Sequence, residues 1–241
     1  MGDPRLGGKV AVVTGGGRGL GRALVRALSD EGAQVAFSYR ESREGAEEEA
    51  RALSSAGRTV FVARADARVP GEIEAFVRRA AEALGGIDIL VNNVGVFRKV
   101  RLEELTEAAL DEAFQVNVKA AVMASRAAAP AMRKRGGGTI VNVASLGGLR
   151  AWRQYLPYCV SKAGLLMATE CLALALAPDI RVNAVAPGVL EVPGASPSLL
   201  ERIPLRRFGT LSEVVQAVLY LIHATSTTGD CLRLEGGRAL A

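Results

Sequence analysis

The chain contains 241 residues, of which 49% are hydrophobic and 23% are charged, and its net charge is +5. This length and composition predict a globular fold with a sizeable core and exclude a disordered chain. The basic residues are scattered and no segment resembles a membrane span or a targeting signal, so we expect a cytoplasmic protein with no nucleic-acid or membrane partner. The three cysteines form no CxxC pair, so neither a disulfide framework nor a metal site is predicted.

Short apolar segments alternate with longer amphipathic segments along the whole chain. The short segments are rich in Val and Ile and predict strands at 9–13, 34–38, 59–63, 87–91, 139–143, 180–185 and 231–234. The longer segments between them predict helices that include 20–31, 43–56, 71–84 and 107–132. This alternation predicts an α/β fold with a doubly wound parallel sheet of about seven strands and helices on both faces. No linker or repeat interrupts the pattern, so residues 1–241 are predicted to form one domain.

A glycine-rich turn follows the first predicted strand and precedes the first predicted helix. Its sequence runs from Thr14 to Gly21 as TGGGRGLG. Glycine is costly to order, so a flexible loop and a close backbone approach to a ligand are the two explanations to weigh. The strand–turn–helix context favours the second, because amide groups at a helix N-terminus bind phosphate. The sequence therefore predicts a dinucleotide-binding turn.

A second group of residues can carry acid–base chemistry. Tyr158 and Lys162 are four residues apart, so they share one face of a helix. An ammonium near the phenol lowers its pKa and lets Tyr158 exchange a proton with a carbonyl or hydroxyl oxygen. Ser145, after the fifth strand, can hydrogen-bond the same oxygen. Each of these residues alone is more typical of a surface pair or a turn.

These motifs, taken in order, resemble the signature of the short-chain dehydrogenase/reductase family. The matching elements are the glycine turn, the sequence NNVG at 92–95, Ser145, the YxxxK spacing of Tyr158 and Lys162, and the Pro-Gly pair at 187–188. The resemblance implies a Rossmann-type fold, a homotetramer, and a catalytic set of Asn117, Ser145, Tyr158 and Lys162. Within that set, Lys162 would also hold the nicotinamide ribose, and Asn117 would anchor a water in a proton relay. No metal is implied.

The cofactor is predicted to be NADP(H), with NAD(H) the less favoured alternative. No acidic residue ends the second strand, where one would bind the adenosine ribose of NAD. Arg18, Arg40 and the hydroxyl of Ser38 instead suit a 2′-phosphate, whereas Glu41 would oppose it if it turned inward. With the resemblance, the predicted cofactor-binding residues are Gly15, Gly17, Arg18, Gly19, Leu20, Gly21, Ser38, Tyr39, Arg40, Asp66, Ala67, Asn93, Gly95, Tyr158, Lys162, Pro187 and Gly188.

The substrate is predicted to be a small carbonyl or alcohol compound bound in a partly aromatic pocket beside the nicotinamide. Leu146 is expected at its rim, Arg150 and Arg153 at its mouth, and the loop 189–203 above it. Two subgroups of the family compete, namely the 3-oxoacyl-carrier-protein reductases, which are favoured, and the pteridine reductases. A non-catalytic dinucleotide-binding protein is the alternative of another class. The predicted substrate-binding residues are Phe97, Ser145, Trp152, Tyr155 and Tyr158.

Overall fold

Seven strands form one sheet in the computed structural model, which describes residues 5–191 and 197–240. All pairings are parallel, and the strand order is β3-β2-β1-β4-β5-β6-β7. The doubly wound fold with a single sheet is thus confirmed. The strands are β1 (Val10–Val13), β2 (Gln34–Tyr39), β3 (Val60–Arg64), β4 (Ile89–Asn92), β5 (Gly138–Val143), β6 (Ile180–Pro187) and β7 (Cys231–Leu234).

Helices cover both faces of this sheet. Three short 3-10 turns lie at Leu102–Glu104, Leu146–Gly148 and Pro197–Arg202. The helices are α1 (Gly19–Asp30), α2 (Arg43–Ser55), α3 (Glu72–Leu84), α4 (Glu107–Phe114), α5 (Ala120–Lys134), α6 (Leu156–Leu176) and α7 (Leu211–His223).

The predicted helix 107–132 is wrong as a continuous α-helix. A π turn, Gln115–Lys119, separates α4 from α5, and within it the Ala120 N–H bonds to the Gln115 carbonyl five residues back. Sequence periodicity does not reveal such an insertion, because the apolar stripes on either side remain helical. Single π turns are frequent at functional sites. Asn117 is the central residue of this one.

The core has two layers because successive strand residues point to opposite faces. Val13 belongs to a cluster that packs against α1, α2 and α7, whereas Val12 belongs to a cluster that packs against α3, α5 and α6. Both valines are fully buried. Full burial of a side chain of this size stabilises the fold by roughly 1.5–3 kcal/mol. Because such side chains are buried on both faces of the sheet, the ends of the strands are held firmly and the loops that follow them start from fixed positions.

The strand order reverses between β1 and β4. In open α/β sheets such a reversal creates a crevice at the carboxyl ends of the strands, where ligands bind. Here the Thr14 N–H donates to the Val91 carbonyl at 3.0 Å, which places the glycine turn directly beside the segment after β4.

Helix α6 is long and apolar enough to cross a membrane by length and composition, contrary to the expectation from sequence. In the fold it lies against β6 and buries the face that carries Lys162, Leu165 and Thr169. Its Met167 and Leu174 side chains are exposed instead. The apolar composition therefore reflects two faces, of which one is buried and the other is exposed in the part of the chain that the structure describes.

Candidate active site

Most glycines of the glycine turn are required by close packing against neighbouring protein atoms. A Cβ on Gly16 would lie 2.6 Å from the Cβ of Phe37, and a Cβ on Gly21 would overlap the Gly15 carbonyl oxygen. Gly19 differs, because its φ is +52° and no atom lies within 4 Å of a Cβ built there. Close packing therefore accounts for several of the glycines, and Gly19 is the one that leaves bare backbone facing open space.

A cavity of about 480 Å³ opens in front of this turn. Helix α1 begins there, and Arg18 at its N-cap makes no side-chain capping hydrogen bond. Uncapped N–H groups at a helix N-terminus are donors for an anion, so the cavity fits the diphosphate of a dinucleotide. Eleven predicted cofactor-binding residues line it, namely Gly15, Arg18, Gly19, Leu20, Gly21, Tyr39, Arg40, Asp66, Ala67, Asn93 and Gly95. Glu41, which was expected to oppose a 2′-phosphate if it turned inward, lines the cavity too. The other lining residues are Phe97 and six that the sequence prediction missed, namely Ser42, Ala65, Arg68, Val94, Val96 and Val116.

The other predicted cofactor-binding residues lie outside that lining. Ser38 is fully buried, and its Oγ accepts a hydrogen bond of 3.0 Å from the Gly15 N–H, so it supports the glycine turn from behind. Gly17 is buried against Ser42, as a Cβ there would collide with that hydroxyl. The remaining four are Tyr158, Lys162, Pro187 and Gly188.

Asn93 connects the two strands at the crevice. Its side-chain N–H₂ donates to the carbonyls of Thr14 and Gly15, at 3.1 and 3.0 Å. The Thr14 hydroxyl in turn accepts from the Asn93 N–H at 3.0 Å. These contacts fix the glycine turn relative to the segment after β4, and hence the depth of the cavity.

The end of the cavity beside β2 and β3 carries several charges. Arg40 forms an ion pair of 2.7 Å with Glu41, and Arg68 forms one of 2.6 Å with Glu112. Arg18 has no ion pair with any residue that the structure describes. Glu41 therefore engages one of the two arginines predicted to bind a 2′-phosphate, and its own side chain is 72% exposed.

Lys162 lies behind the cavity, where it is almost completely buried. Its Nζ donates a hydrogen bond of 2.7 Å to the Val143 carbonyl, and burial lowers the pKa of Lys162 to about 8. A Cβ on Gly95, which lines the cavity, would be 3.5 Å from this nitrogen. The glycine thus brings the ammonium close to the cavity wall.

Asn117 holds the segment after β4 in place. Its Oδ1 accepts from the Val96 N–H at 2.7 Å, while its Nδ2 donates to the Val96 carbonyl at 3.1 Å and to the Ser161 hydroxyl at 2.8 Å. Ser161, which sequence reasoning missed, also donates to the Tyr158 carbonyl at 2.9 Å. The Asn117 side chain therefore links β4, the π turn and α6.

Ser145 lies close enough to Tyr158 to influence its ionisation. Burial raises the pKa of Tyr158, the nearby Ser145 hydroxyl opposes that shift, and the neighbouring Cys159 adds to it. The direction is opposite to the one expected from Lys162. Without a cofactor, the phenol therefore remains protonated at neutral pH and can donate its proton.

Four aromatic rings meet beside this pair. Phe97 stacks on Tyr155 with the ring centres 4.7 Å apart, and it meets Tyr158 edge-on at the same distance. Trp152 stacks on Tyr158 at 6.0 Å. Phe97 is nevertheless 59% exposed, so it presents a face to the cavity rather than filling the core. We call Phe97, Trp152, Tyr155 and Tyr158 the aromatic cluster.

Two expectations about the substrate pocket need correction or restriction. Leu146 is fully buried in the core and does not belong to the rim, because the 3-10 turn after β5 directs it inward. Of the loop 189–203, residues 192–196 lie outside the described residues. The described part includes the turn Pro197–Arg202.

The C-terminal segment reaches the aromatic cluster, which sequence reasoning missed. The Arg238 guanidinium lies 5.5 Å from the centre of the Trp152 ring. Arg150, which was expected at the pocket mouth, donates a hydrogen bond to the Ala239 carbonyl. No local pattern in the sequence signals this contact, since the partners are far apart in the chain.

A buried polar chain beneath the site was also missed. The Asn92 amide donates to Asn142 at 2.9 Å and to Ser125 at 3.2 Å, and the Asn142 amide donates to Thr169 at 2.9 Å. Buried amides require partners, so these contacts join β4, β5, α5 and α6. The sequence did contain a signal for this chain, because Asn92 and Asn142 are polar residues within the largely apolar strands β4 and β5.

A dinucleotide crevice at a strand-order reversal, next to a tyrosine that can exchange a proton, defines a nicotinamide-dependent oxidoreductase. Comparison with known proteins agrees, as residues 9–201 match the family model described as short chain dehydrogenase. The chain belongs to the short-chain dehydrogenase/reductase family, whose members act on alcohol and carbonyl groups. Within the described residues, no His, Cys, Asp and Glu side chains group as metal ligands.

Similar proteins cover almost the whole chain. A putative ketoacyl reductase 2 of granaticin polyketide synthase from Streptomyces violaceoruber is 36% identical over 96% of each chain. The 7alpha-hydroxysteroid dehydrogenase of Clostridium sardiniense is 37% identical, covering 98% of this chain and 95% of its own. The structure of FolM alternative dihydrofolate reductase 1 from Brucella canis, complexed with NADP, has a TM-score of 0.92 at 32% identity, with 98% of this chain and 96% of that one covered.

Proposed function

We propose that this chain is an NADPH-dependent carbonyl reductase in which Tyr158 protonates the substrate oxygen. The observation that carries the proposal is the position of Tyr158, which lies near Ser145 and contacts the Phe97 ring that lines the cavity in front of the glycine turn. The bound nicotinamide supplies the hydride to the carbonyl carbon. Tyr158 donates the proton to the oxygen, Ser145 orients that oxygen, and Lys162 holds positive charge behind the site.

The cofactor preference is proposed to rest on Arg18 and Arg40. Each charge-assisted hydrogen bond to a 2′-phosphate contributes roughly 1.5–3 kcal/mol, so NADPH should bind about tenfold or more tightly than NADH. Fluorescence titration with both cofactors tests this. Equal dissociation constants would remove the assignment. An Arg40→Asp variant should reverse the preference, because its carboxylate repels the phosphate and accepts from ribose hydroxyls.

We propose a hydrophobic or ring-bearing carbonyl compound as substrate, of the type that 3-oxoacyl reductases use. The aromatic cluster supplies apolar surface, and a small sugar would need more polar partners for its hydroxyls. The similarity to a ketoacyl reductase and to a hydroxysteroid dehydrogenase supports a carbonyl or alcohol on an extended apolar skeleton. A panel of β-ketoacyl thioesters, aromatic ketones and steroid ketones, assayed with NADPH, ranks these classes.

A pterin substrate is the second candidate, and the exposed face of Phe97 favours it. A half-exposed ring already stacked on Tyr155 offers a platform for a flat heterocycle. The Brucella canis relative, described as a dihydrofolate reductase, supports the same class. Adding dihydropterins to the panel separates the two candidates, since a pterin kcat/KM above that of every ketone would reverse their order. NADPH oxidation with any of these compounds removes the non-catalytic alternative.

We further propose that the enzyme is a cytoplasmic homotetramer. The side chains of Val160, Met167 and Leu174 form an exposed apolar row along α6. This row supports self-association, because exposure of a continuous apolar surface to water is unfavourable and a second copy of the chain would cover it. Light scattering coupled to size-exclusion chromatography gives the mass directly. A monomeric mass at micromolar concentration would contradict the assembly without affecting the proposed chemistry.

A further inference from the structure

The C-terminal segment places a cation against the aromatic cluster, and this cation has no carboxylate partner among the described residues. Arg238 lies over the Trp152 ring at 5.5 Å, a distance at which a guanidinium and an indole attract each other. Its side chain is half-buried. Among residues 5–191 and 197–240, no carboxylate lies within ion-pair distance of it and no acceptor takes a hydrogen bond from its guanidinium.

The charges around Arg238 do not neutralise it. Burial and then the positive charge of Arg202 lower the pKa of Arg238, while Glu235 acts in the opposite direction. The Glu235 carboxylate accepts from the Ala239 N–H at 2.7 Å and so serves the backbone of the segment. Within the described residues, Arg238 is thus left without an ion-pair partner beside the aromatic cluster, an arrangement that suits an anion.

The position of Arg238 relative to the reacting group limits the kind of anion. The Trp152 ring, which Arg238 overlies, is itself stacked on Tyr158 with 6.0 Å between the ring centres. The guanidinium is therefore no further from the Tyr158 ring than those two short steps together. A substrate whose carbonyl meets Tyr158 and whose charged group meets Arg238 must therefore extend along the Trp152 ring, as a flat aromatic compound can.

We propose that Arg238 binds an anionic group of the substrate, so that the preferred substrate is an aromatic or similarly flat carbonyl compound with a carboxylate at its far end. This inference rests on the proposed function and specifies the substrate class of the same site. Arginine suits the role because its planar fork binds a carboxylate through two parallel hydrogen bonds while its face stacks on the indole.

The test compares 4-acetylbenzoate with 4-acetylbenzamide, two ketones of nearly equal shape that differ in charge. Trp152 is the only tryptophan of the chain, so its fluorescence reports binding at the aromatic cluster in the presence of NADP⁺, where no turnover occurs. We expect the carboxylate to bind about tenfold more tightly than the amide, as one charge-assisted contact would give. In Arg238→Met the ratio of the two dissociation constants should fall to near one.

Two further variants keep the result interpretable. Arg238→Lys retains the charge but loses the planar fork, and should keep part of the preference. Arg58→Met, in the turn before β3 at the opposite edge of the sheet, removes the same charge and should keep the whole preference. Equal binding of the two ketones by the wild type, or a preference that survives Arg238→Met, overturns the inference. Steady-state rates with NADPH are measured separately, and if neither they nor the substrate panel shows turnover, the proposed function fails while the binding ratio still decides the anion site.

Discussion

The Lys162 ammonium donates a hydrogen bond of 2.7 Å to the Val143 carbonyl, and this contact ties α6 to the end of β5. The charge is held in a place that water does not reach, since Lys162 is 4% exposed. The buried ammonium has lost its hydrating water, and this loss disfavours the charged form. The pKa of Lys162 therefore falls to about 8.

The pH dependence of stability should reveal this buried charge. Below about pH 8 the lysine is protonated in both folded and unfolded chains, and its charge destabilises the folded state. Between about 8 and its ordinary value of 10.5, the folded chain loses the proton first, so stability rises with pH by roughly 3 kcal/mol at most. Urea unfolding of the wild type and Lys162→Met at pH 7.5 and pH 10 measures it. The free energy of unfolding of the wild type, relative to that of the variant, should be higher at pH 10 than at pH 7.5. The same difference between the two proteins at both pH values would show that Lys162 is not desolvated as described.

Replacement of Tyr158 by Phe should remove the proton donor while leaving the ring in the aromatic cluster. Turnover of the best carbonyl substrate should fall by roughly a hundredfold or more, the range of a positioned acid. The NADPH dissociation constant should change little. Tyr220→Phe, on the exposed surface of α7, removes an equivalent hydroxyl and serves as the control. Near-normal turnover in Tyr158→Phe would remove Tyr158 from the mechanism.

Neutralisation of Glu41 should strengthen NADPH binding. The 2.7 Å ion pair occupies Arg40, and an exposed pair of this kind contributes 0.2–1 kcal/mol, so Glu41→Gln should lower the NADPH dissociation constant by up to about fivefold. NADH binding should change less. Glu47→Gln removes the same charge from the outer face of α2, where Glu47 pairs with Arg43, and controls for net charge. Weaker NADPH binding in Glu41→Gln would assign Glu41 a direct role in holding the cofactor.

Truncation of Phe97 to Ala should raise KM for the best carbonyl substrate and leave NADPH affinity intact. The ring is exposed toward the cavity and its loss removes apolar contact with substrate rather than core packing, so the melting temperature should hardly change. Leu102→Ala removes another exposed apolar side chain from the same loop region and should leave KM unaltered. An unchanged KM in Phe97→Ala would place the substrate elsewhere and remove the platform for a pterin.

Much of the fold could be predicted because the strands of a doubly wound sheet are short, apolar and covered on both faces. Every predicted strand lies within two residues of an observed one. The lining of the cavity was predictable where consecutive residues follow the end of a strand, as in the glycine turn and the segment after β4. Asn117 could be named only through the family resemblance, because the π turn that positions it has no signature in residue type.

Other features depend on contacts between distant segments and were out of reach. Arg238 and Trp152 are separated by more than a third of the chain, and nothing near either residue marks the pairing. The direction of the Tyr158 pKa shift also depends on burial, which the spacing to Lys162 does not reveal. Leu146 was misplaced for a related reason, since a residue after a strand can face the cavity or the core according to a single backbone turn.

The π turn at Gln115–Lys119 inserts one extra residue between α4 and α5 and so sets the rotation of one helix relative to the other about their common axis. An α-helix turns by about 100° per residue. Deletion of one position there would restore ordinary α geometry and rotate α4 relative to α5 by that angle. The apolar stripe of α5 would then keep its place on the sheet only if α4 turned away, and the Asn117 amide would leave Val96. Natural or engineered length changes in this stretch are thus constrained to whole turns.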